Sequence, residues 1–495
     1  MDENVIFNKP GTQPEPPTQQ PVQPLTPVTP ISQPVTPVPS QPQSVTSPIE
    51  GVSTPSSLPK LPSSFPLMKV VKTLGIILAI LLVLFLIIRF VVPIFGGSDE
   101  QEKVTLTYWG LWEDKQIMQA LIDDFQRENP NITVNYSKRD IKQYRQSLST
   151  QLGEGGGPDI FRYHNSWIGM MKGNLVPLTK EAITPEAFKE TYFPVVQNDL
   201  VLNGGIYGIP LNFDTLSLFV NTELFEAAGT TVPSTWDEFV SVSKELTVKD
   251  STGKIQTAGA AMGTYDNITH APDIIALLMA QNGTDFADFS NTTANASQAL
   301  EFYTAFAQTQ GSVWDPSLDP SLLAFAKGNL AMYFGYSWDI LTIAELNRDL
   351  KYTVHAVPSL PDRKMTIASY WVEGVSSKSK FQKEAMLFMN YLSKRETAQK
   401  FYTETAKTRL FGELYPRRDL AATLQANPRI YPFVAQGNEA VSTYFVSDTF
   451  DDGINTQMNT YLGNAVRGAE GSSSTESAIE TLAQGIQQIL SKYGQ

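Results

Sequence analysis

From Leu74 to Ile88 the chain has no charged or strongly polar residue, and with its flanks the apolar run extends from Val70 to Val92. As a helix, this run would rise roughly 34 Å, enough to cross a hydrocarbon core. It is apolar on every face, so no side of it suits water. Arg89 stands close enough to one end for its guanidinium to reach the interface. The run is too long for a cleaved leader, 68 residues precede Lys69, and no small-residue cleavage site follows. The sequence therefore predicts one membrane-spanning signal anchor over residues 69–93. Lys60, Lys69 and Lys72 on its near side outnumber Arg89 on its far side, which favours the N-terminus in the cytoplasm and the rest of the chain outside.

The material on either side of this run differs. Seventeen of the 33 prolines fall in residues 1–66, which contain no Trp and no Tyr. Repeats such as Pro21-Val-Gln-Pro-Leu-Thr-Pro-Val-Thr-Pro30 fix φ, remove backbone donors and offer little apolar mass to offset ordering. Residues 1–66 are expected to be a disordered, partly polyproline tail, either a plain tether or a ligand for another protein. The whole chain carries −13, and residues 1–93 carry +1, so the part beyond residue 93 carries −14, an acidity that argues against a nucleic-acid partner. The chain has no cysteine, so disulfides, thiolate metal sites, a cysteine nucleophile and a lipid-bearing cysteine are all excluded.

From residue 103 the texture is alternating α/β. Lys103–Trp109 alternates as a strand, and Lys115–Arg127 places Ile117, Met118, Leu121, Ile122 and Phe125 at helical spacing before Asn129-Pro130 ends it. A strand at 132–136, a helix at 143–152 and a short strand at 159–161 follow. This order predicts a parallel sheet with helices on its faces and a ligand site beyond the strands' carboxyl ends. The loops there, 109–114 and 162–167, are rich in aromatic and polar residues.

Several segments carry a family resemblance. Phe125-Gln-Arg-Glu-Asn-Pro130, Gly156-Gly-Pro158-Asp159, Gly173-Asn-Leu-Val-Pro-Leu178 and Tyr207-Gly-Ile-Pro210 come first. Leu218–Phe225, Val232-Pro-Ser-Thr-Trp236, Phe325–Met332, Pro358–Pro361, Leu414-Tyr-Pro-Arg417 and the closing helix 477–492 follow in order. Together they resemble the carbohydrate-binding family of bacterial extracellular solute-binding proteins, to which the maltose-binding proteins belong. The resemblance implies a two-lobed, periplasmic-binding-protein-like clam with a hinge. The implied first lobe is 103–214 plus 367–411, and the second is 215–360 plus 412–495. It also implies a monomer, without cofactor, that hands a carbohydrate to the permease of an ATP-binding-cassette (ABC) importer. The loop Tyr370-Trp-Val-Glu-Gly374 departs from the Gly-Gly pair common in relatives.

Sugars present flat apolar faces and many hydroxyls, so their sites combine aromatic platforms with carboxylates, amides and arginine. The candidates are Trp112 and Glu113 after the first strand, Tyr163 and His164 after the third, and Asp214 at the first crossing. Tyr265, Trp338, Trp371 and Arg417 complete the set. Tyr108 and Trp236 read as core, and Trp109 is open between core and site. Enzyme signatures are weak: His164, His270 and His355 are scattered, Gly153–Pro158 lacks the Lys of a phosphate loop, and Gly335–Asp339 lacks the second Gly of a nucleophile elbow. Two other readings stay open: a sugar-binding sensor or adhesion module whose tail recruits an intracellular partner, and a glycan-active enzyme.

Overall fold

The computed structural model describes residues 67–86, 89, 102–308, 311–471 and 474–494. The chain divides into two units, Met1–Gly97 and Ser98–Gln495. In the first unit the backbone of Leu67–Leu86 is helical over 20 residues. Its described side chains are Lys72 and the exposed run 74–86, and that run alone rises roughly 20 Å, short of a full span. Taken over the described residues, no helix is long and apolar enough to cross a membrane. The remainder of the 69–93 anchor and the whole 1–66 tail lie outside the described residues.

The strands of the second unit run in chain order as follows. In the first stretch they are β1 (Val104–Gly110), β2 (Ile132–Lys138), β3 (Ile160–His164), β4 (Val201–Leu202), β5 (Gly205–Ile206), β6 (Ile209–Pro210), β7 (Asp214–Thr215) and β8 (Ser217–Asn221). Next come β9 (Val248–Lys249), β10 (Ile255–Ala260), β11 (Leu330–Gly335) and β12 (Tyr352–His355). The last three are β13 (Thr366–Ser369), β14 (Trp371–Val375) and β15 (Ala440–Val441). They form two five-stranded sheets, ordered β2-β1-β3-β14-β6 and β12-β8-β11-β10-β9, a three-stranded sheet β15-β13-β7 and a two-stranded sheet β4-β5.

Each large sheet has its own core. In the first, β1 alternates so that Val104, Leu106 and Tyr108 are buried, while the helix Lys115–Glu128 turns Ile117, Met118, Leu121, Ile122 and Phe125 onto the sheet. The pairing of β1 with β2 and β3 is parallel, and β14 joins β3 antiparallel with Trp371 opposite His164 and Glu373 opposite Arg162. In the second, Trp236 opens the helix Trp236–Glu245 behind a Thr235–Glu238 capping box and is itself buried. Its indole donates to Gln281 Oε1 at 2.7 Å, which satisfies the one polar atom it takes inside.

The chain passes between the cores three times. One core holds residues 104–213 and 368–401 with Ala440, and the other holds 216–367 and 411–489. Ile367 and Phe411, placed in the first lobe by sequence, pack in the second core, and Ala440 does the reverse. The crossing backbones are themselves hydrogen-bonded: β13 pairs antiparallel with β7 and parallel with β15. Thr366 Oγ1 donates to Leu216 O at 2.7 Å, and Thr215 Oγ1 to Phe433 O at 2.7 Å. Such a small strip of paired backbone can change its φ and ψ angles while two rigid cores move as bodies.

Packing is closest where β10 meets the helix Trp236–Glu245. A Cβ on Gly259 would lie 1.7 Å from Ser243 O, which is backbone and cannot step aside. Gly259→Ala is therefore expected to destabilise the full chain by about 1–3 kcal/mol. Gly173→Ala, with open space around it, should leave the denaturant midpoint in place. Equal midpoints for the two variants would refute this account.

Candidate functional site

A cavity of about 470 Å³ opens where the crossings meet. Asn212, Phe213 and Asp214 line it from the first crossing, Ser369 and Trp371 from the second, and Arg409, Phe411, Glu413 and Leu414 from the third. Trp112 enters from the first core, Trp338 and Asp339 from the second, and Asp448 and Phe450 from the segment leading into the helix Ile454–Glu470. Groups from both lobes thus face one space.

Aromatic rings dominate its walls. Trp112 and Trp371 meet edge to face, with centroids 5.7 Å apart and planes at 69°. Trp371 is backed by Trp167 at 5.3 Å and by His164 at 5.0 Å. Across the cavity Trp338 stacks on buried Tyr336 at 4.4 Å and 12°, and its side chain hydrogen-bonds Asp448. Trp112 (φ 63°), Asp448 (φ 58°) and Phe450 (φ 51°) hold left-handed backbone that costs energy for residues with a Cβ, and strain of this kind gathers at functional sites.

The polar groups are mostly committed to the scaffold. Asp214 takes the Ser337 amide at 3.0 Å and the Ser337 hydroxyl on one oxygen, and the Thr215 amide at 2.9 Å on the other. Burial pushes its carboxyl well above the usual range, with the Ser337 bonds opposing. Arg409 pairs with Glu413 at 2.7 Å. Asp339 accepts from Tyr333 OH, from the Tyr336 amide and from buried His270 at 2.8 Å. Burial works against a charged His270, but Asp339 outweighs it, aided by Asp448 and Asp273, and raises the imidazole to about 9.

A second charged cluster lies behind Trp112 and Trp371. Arg162, fully buried on β3, reaches Glu373 Oε1 at 2.6 Å through Nε and Glu113 Oε2 through Nη1. Burial raises Glu113 to about 7 against the pull of Arg162. Nearby His164 is pushed down to about 3 by burial and is neutral, bonded to Ser166 and Ser369.

Of the residues expected from sequence, Trp112, Asp214, Trp338 and Trp371 line the cavity. Glu113 and His164 do not line it and stand behind the platform. Tyr163 is buried in β3 and donates to Tyr207 O at 3.2 Å. Tyr265 lies elsewhere, its hydroxyl on Asn459 O and Arg467 over its ring. Arg417 is held by Ser393 O at 2.6 Å and by Asp419, away from the cavity. Trp109, left open by sequence, is half-buried beneath the Arg139 guanidinium. Sequence reasoning missed Phe411, Glu413, Asp448 and Phe450. The third crossing could have pointed to the first two, whereas nothing periodic marks 448–450. Among the described residues no group of His, Asp and Glu is placed to hold a metal.

Residues 109–399 match the bacterial extracellular solute-binding protein family. The chain belongs to that family. Membership makes it a solute-binding protein rather than an enzyme. The Multiple sugar-binding protein of Streptococcus mutans serotype c is 24% identical over 320 residues, 62% of this chain and 75% of the relative. Among solved structures, the sugar-binding protein MalE from Xanthomonas citri superposes with a TM-score of 0.63 at 21% identity, over 78% of this chain and 98% of its own. The GacH receptor of Streptomyces glaucescens, solved unliganded and with acarbose, gives a TM-score of 0.61 at 21% identity, over 79% and 100%. At such identities the structural likeness shows the fold, a two-lobed binding protein with an α/β core in each lobe.

The His270 pair gives this solute-binding protein a pH signature. An unfolded imidazole releases its proton near 6.5, whereas the folded one holds it to about 9. The folded state therefore binds the extra proton between these values, so this contribution is complete below pH 6.5 and lost as pH rises through 9. The melting temperature should fall across that window, and His270→Gln should flatten the fall. An unchanged slope in the variant would refute the assignment.

Proposed function

We propose that this solute-binding protein captures a carbohydrate, an oligosaccharide by preference, between its lobes and delivers it to an ABC importer. The observation that carries the reading is the meeting of aromatic rings from both lobes in one cavity: Trp112 and Trp371 on one side, Trp338 on the other. Sugar C–H faces pack on indoles, and the carboxyl groups of Asp339 and Asp448 at the cavity wall can accept from hydroxyl donors. The relatives' names point the same way, including the Multiple sugar-binding protein and the Maltodextrin-binding protein of Bacillus subtilis. A ligand touching both platforms gains contacts that exist only when the lobes close, so it shifts the population toward the closed form.

In this reading Trp112, Asp214, Trp338 and Trp371 are the ligand-contacting residues. Glu113 and His164 support them, and Tyr163, Tyr265 and Arg417 serve the fold. In the same reading the apolar run within 69–93 holds the receptor at the cell membrane, and the lysines on its near side favour a cytoplasmic N-terminus with the lobes outside.

The test is calorimetric titration of the full chain with a panel of mono- and oligosaccharides. At least one is expected to bind saturably without product formation, and Trp338→Ala should weaken it by about 1–3 kcal/mol. No binding across the panel, or unchanged affinity in the variant, would remove the sugar reading or Trp338 respectively. Replacing residues 74–88 by a polar linker should move the protein from the membrane fraction to the soluble one, and retention at the membrane would exclude the anchor.

A further inference from the structure

The turn that presents Trp112 is tied down to an unusual degree. Glu113 N donates to Leu111 O at 2.7 Å, closing a tight turn with Trp112 at its apex in left-handed backbone. Three further bonds reach the same turn from outside. Arg162 Nη1 donates to Leu111 O at 3.1 Å and to Glu113 Oε2, and Tyr136 OH donates to Glu113 O at 2.8 Å. The same guanidinium uses its Nε on Glu373, two residues beyond Trp371 on β14. One arginine therefore touches both the turn that carries Trp112 and the strand that carries Trp371.

Stability alone does not account for this arrangement. Two carboxylates and one guanidinium are buried together, and Glu113 Oε1 and Arg162 Nη2 find no partner among the described residues. Buried ionic triads are commonly matched or exceeded in stability by apolar side chains of similar volume, because desolvation offsets their attraction. Geometry is what they supply: a planar fork fixes two partners at set angles where an apolar contact would let them slide.

We infer that Arg162, with Glu113 and Glu373, is a positioning device that sets the angle between Trp112 and Trp371 before ligand arrives, so that the sugar meets a preformed platform. A platform ordered in advance removes part of the side-chain entropy that binding would otherwise cost. The ligand part of this inference rests on the carbohydrate reading, whereas the geometry of the tryptophan pair does not.

The experiment separates the two. Indoles this close and steeply inclined couple their transitions, and the far-ultraviolet circular dichroism component lost in Trp112→Phe reports that coupling without any ligand. Glu113→Ala leaves Arg162 paired one to one with Glu373 and removes the side-chain bond that holds the turn, while the bonds to Leu111 O and Glu113 O remain. It is expected to lose most of the coupled component and to weaken binding of maltotetraose about tenfold. Glu113→Gln, which still accepts the Arg162 bond, should retain both. As a second variant, Glu113→Leu/Arg162→Met/Glu373→Leu replaces the triad by apolar side chains. It should fold with a melting midpoint near the parent's and also lack the component.

A folded Glu113→Ala or triple variant that keeps the coupled component overturns the inference. Failure of both variants to fold overturns it too, since the triad would then be a folding requirement. Equal loss in Glu113→Gln overturns the hydrogen-bond account. If the parent does not bind maltotetraose, the carbohydrate reading loses that support while the spectroscopic arm still decides the positioning role.

Discussion

The structure depends on three backbone crossings: β7 on the first pairs with β13 on the second, and Phe213 N on the first donates to Leu414 O on the third at 3.1 Å. The short strands β7, β13 and β15 make a sheet too small to have a core of its own. Its stability comes from the two bodies on which it borders, and its freedom comes from having few side chains to repack. Asp214, within β7, ties the first crossing to the second lobe by holding the Ser337 amide and hydroxyl. That contact also places Trp338, the next residue along, at the cavity edge. The hinge and the site therefore share residues, so a ligand bound at the cavity acts directly on the crossings.

Both aromatic walls stand on buried charge. Arg162 with Glu113 and Glu373 ties the turn that carries Trp112 to the strand that carries Trp371, while Tyr336, which stacks on Trp338, lies beside the His270–Asp339 pair and bonds Asp273 at 2.7 Å. Each cluster contains more carboxylates than cations. Each lowers the burden of burial by holding a proton: Glu113 is raised to about 7 by burial, and His270 is raised to about 9 because its carboxylate neighbours outweigh burial. Indoles offer large, rigid surfaces with only two side-chain torsions, so fixing their support fixes the shape of the wall.

Much of this fold was legible in the sequence because it follows periodicity. The helix at 115–128 and the strand at 104–110 carry patterns that only one pairing of faces can bury. Within the site, strand-end position was enough to bring Trp112 and Trp338 under consideration, since loops after parallel strands face the crevice; Trp371, expected in a loop, instead opens the antiparallel strand β14. Position could not say which way a side chain turns. Glu113 follows a residue in left-handed backbone, which rotates it inward, and no local pattern announces that φ. His164 ends β3 on the face that packs against Trp371, so alternation hides it behind the platform. Arg162 was missed for another reason: the sequence pattern ends the strand at 161 and puts Arg162 in the loop beyond it, whereas β3 runs to His164, and its two acidic partners lie 49 and 211 residues away.

Distance along the chain explains the remaining gap. The third crossing and the 448–452 segment reach the cavity only because the C-terminal helices fold back on the second lobe, and their contacts with the first lobe are long-range. Arg145 donates to the carbonyls of Asp451 and Asp452 from 306 and 307 residues away. Three non-glycine residues there, Asp448, Phe450 and Asp452, hold left-handed backbone, a conformation that persists only where surrounding contacts over-determine it. Asp451 supplies part of that determination by accepting the amides of Asn455 and Thr456 at the start of the last helix pair. Phe450 is thereby fixed at the cavity by a helix start on one side and a first-lobe arginine on the other. The anchors of this wall therefore belong to both lobes, although the wall itself lies within one stretch of chain.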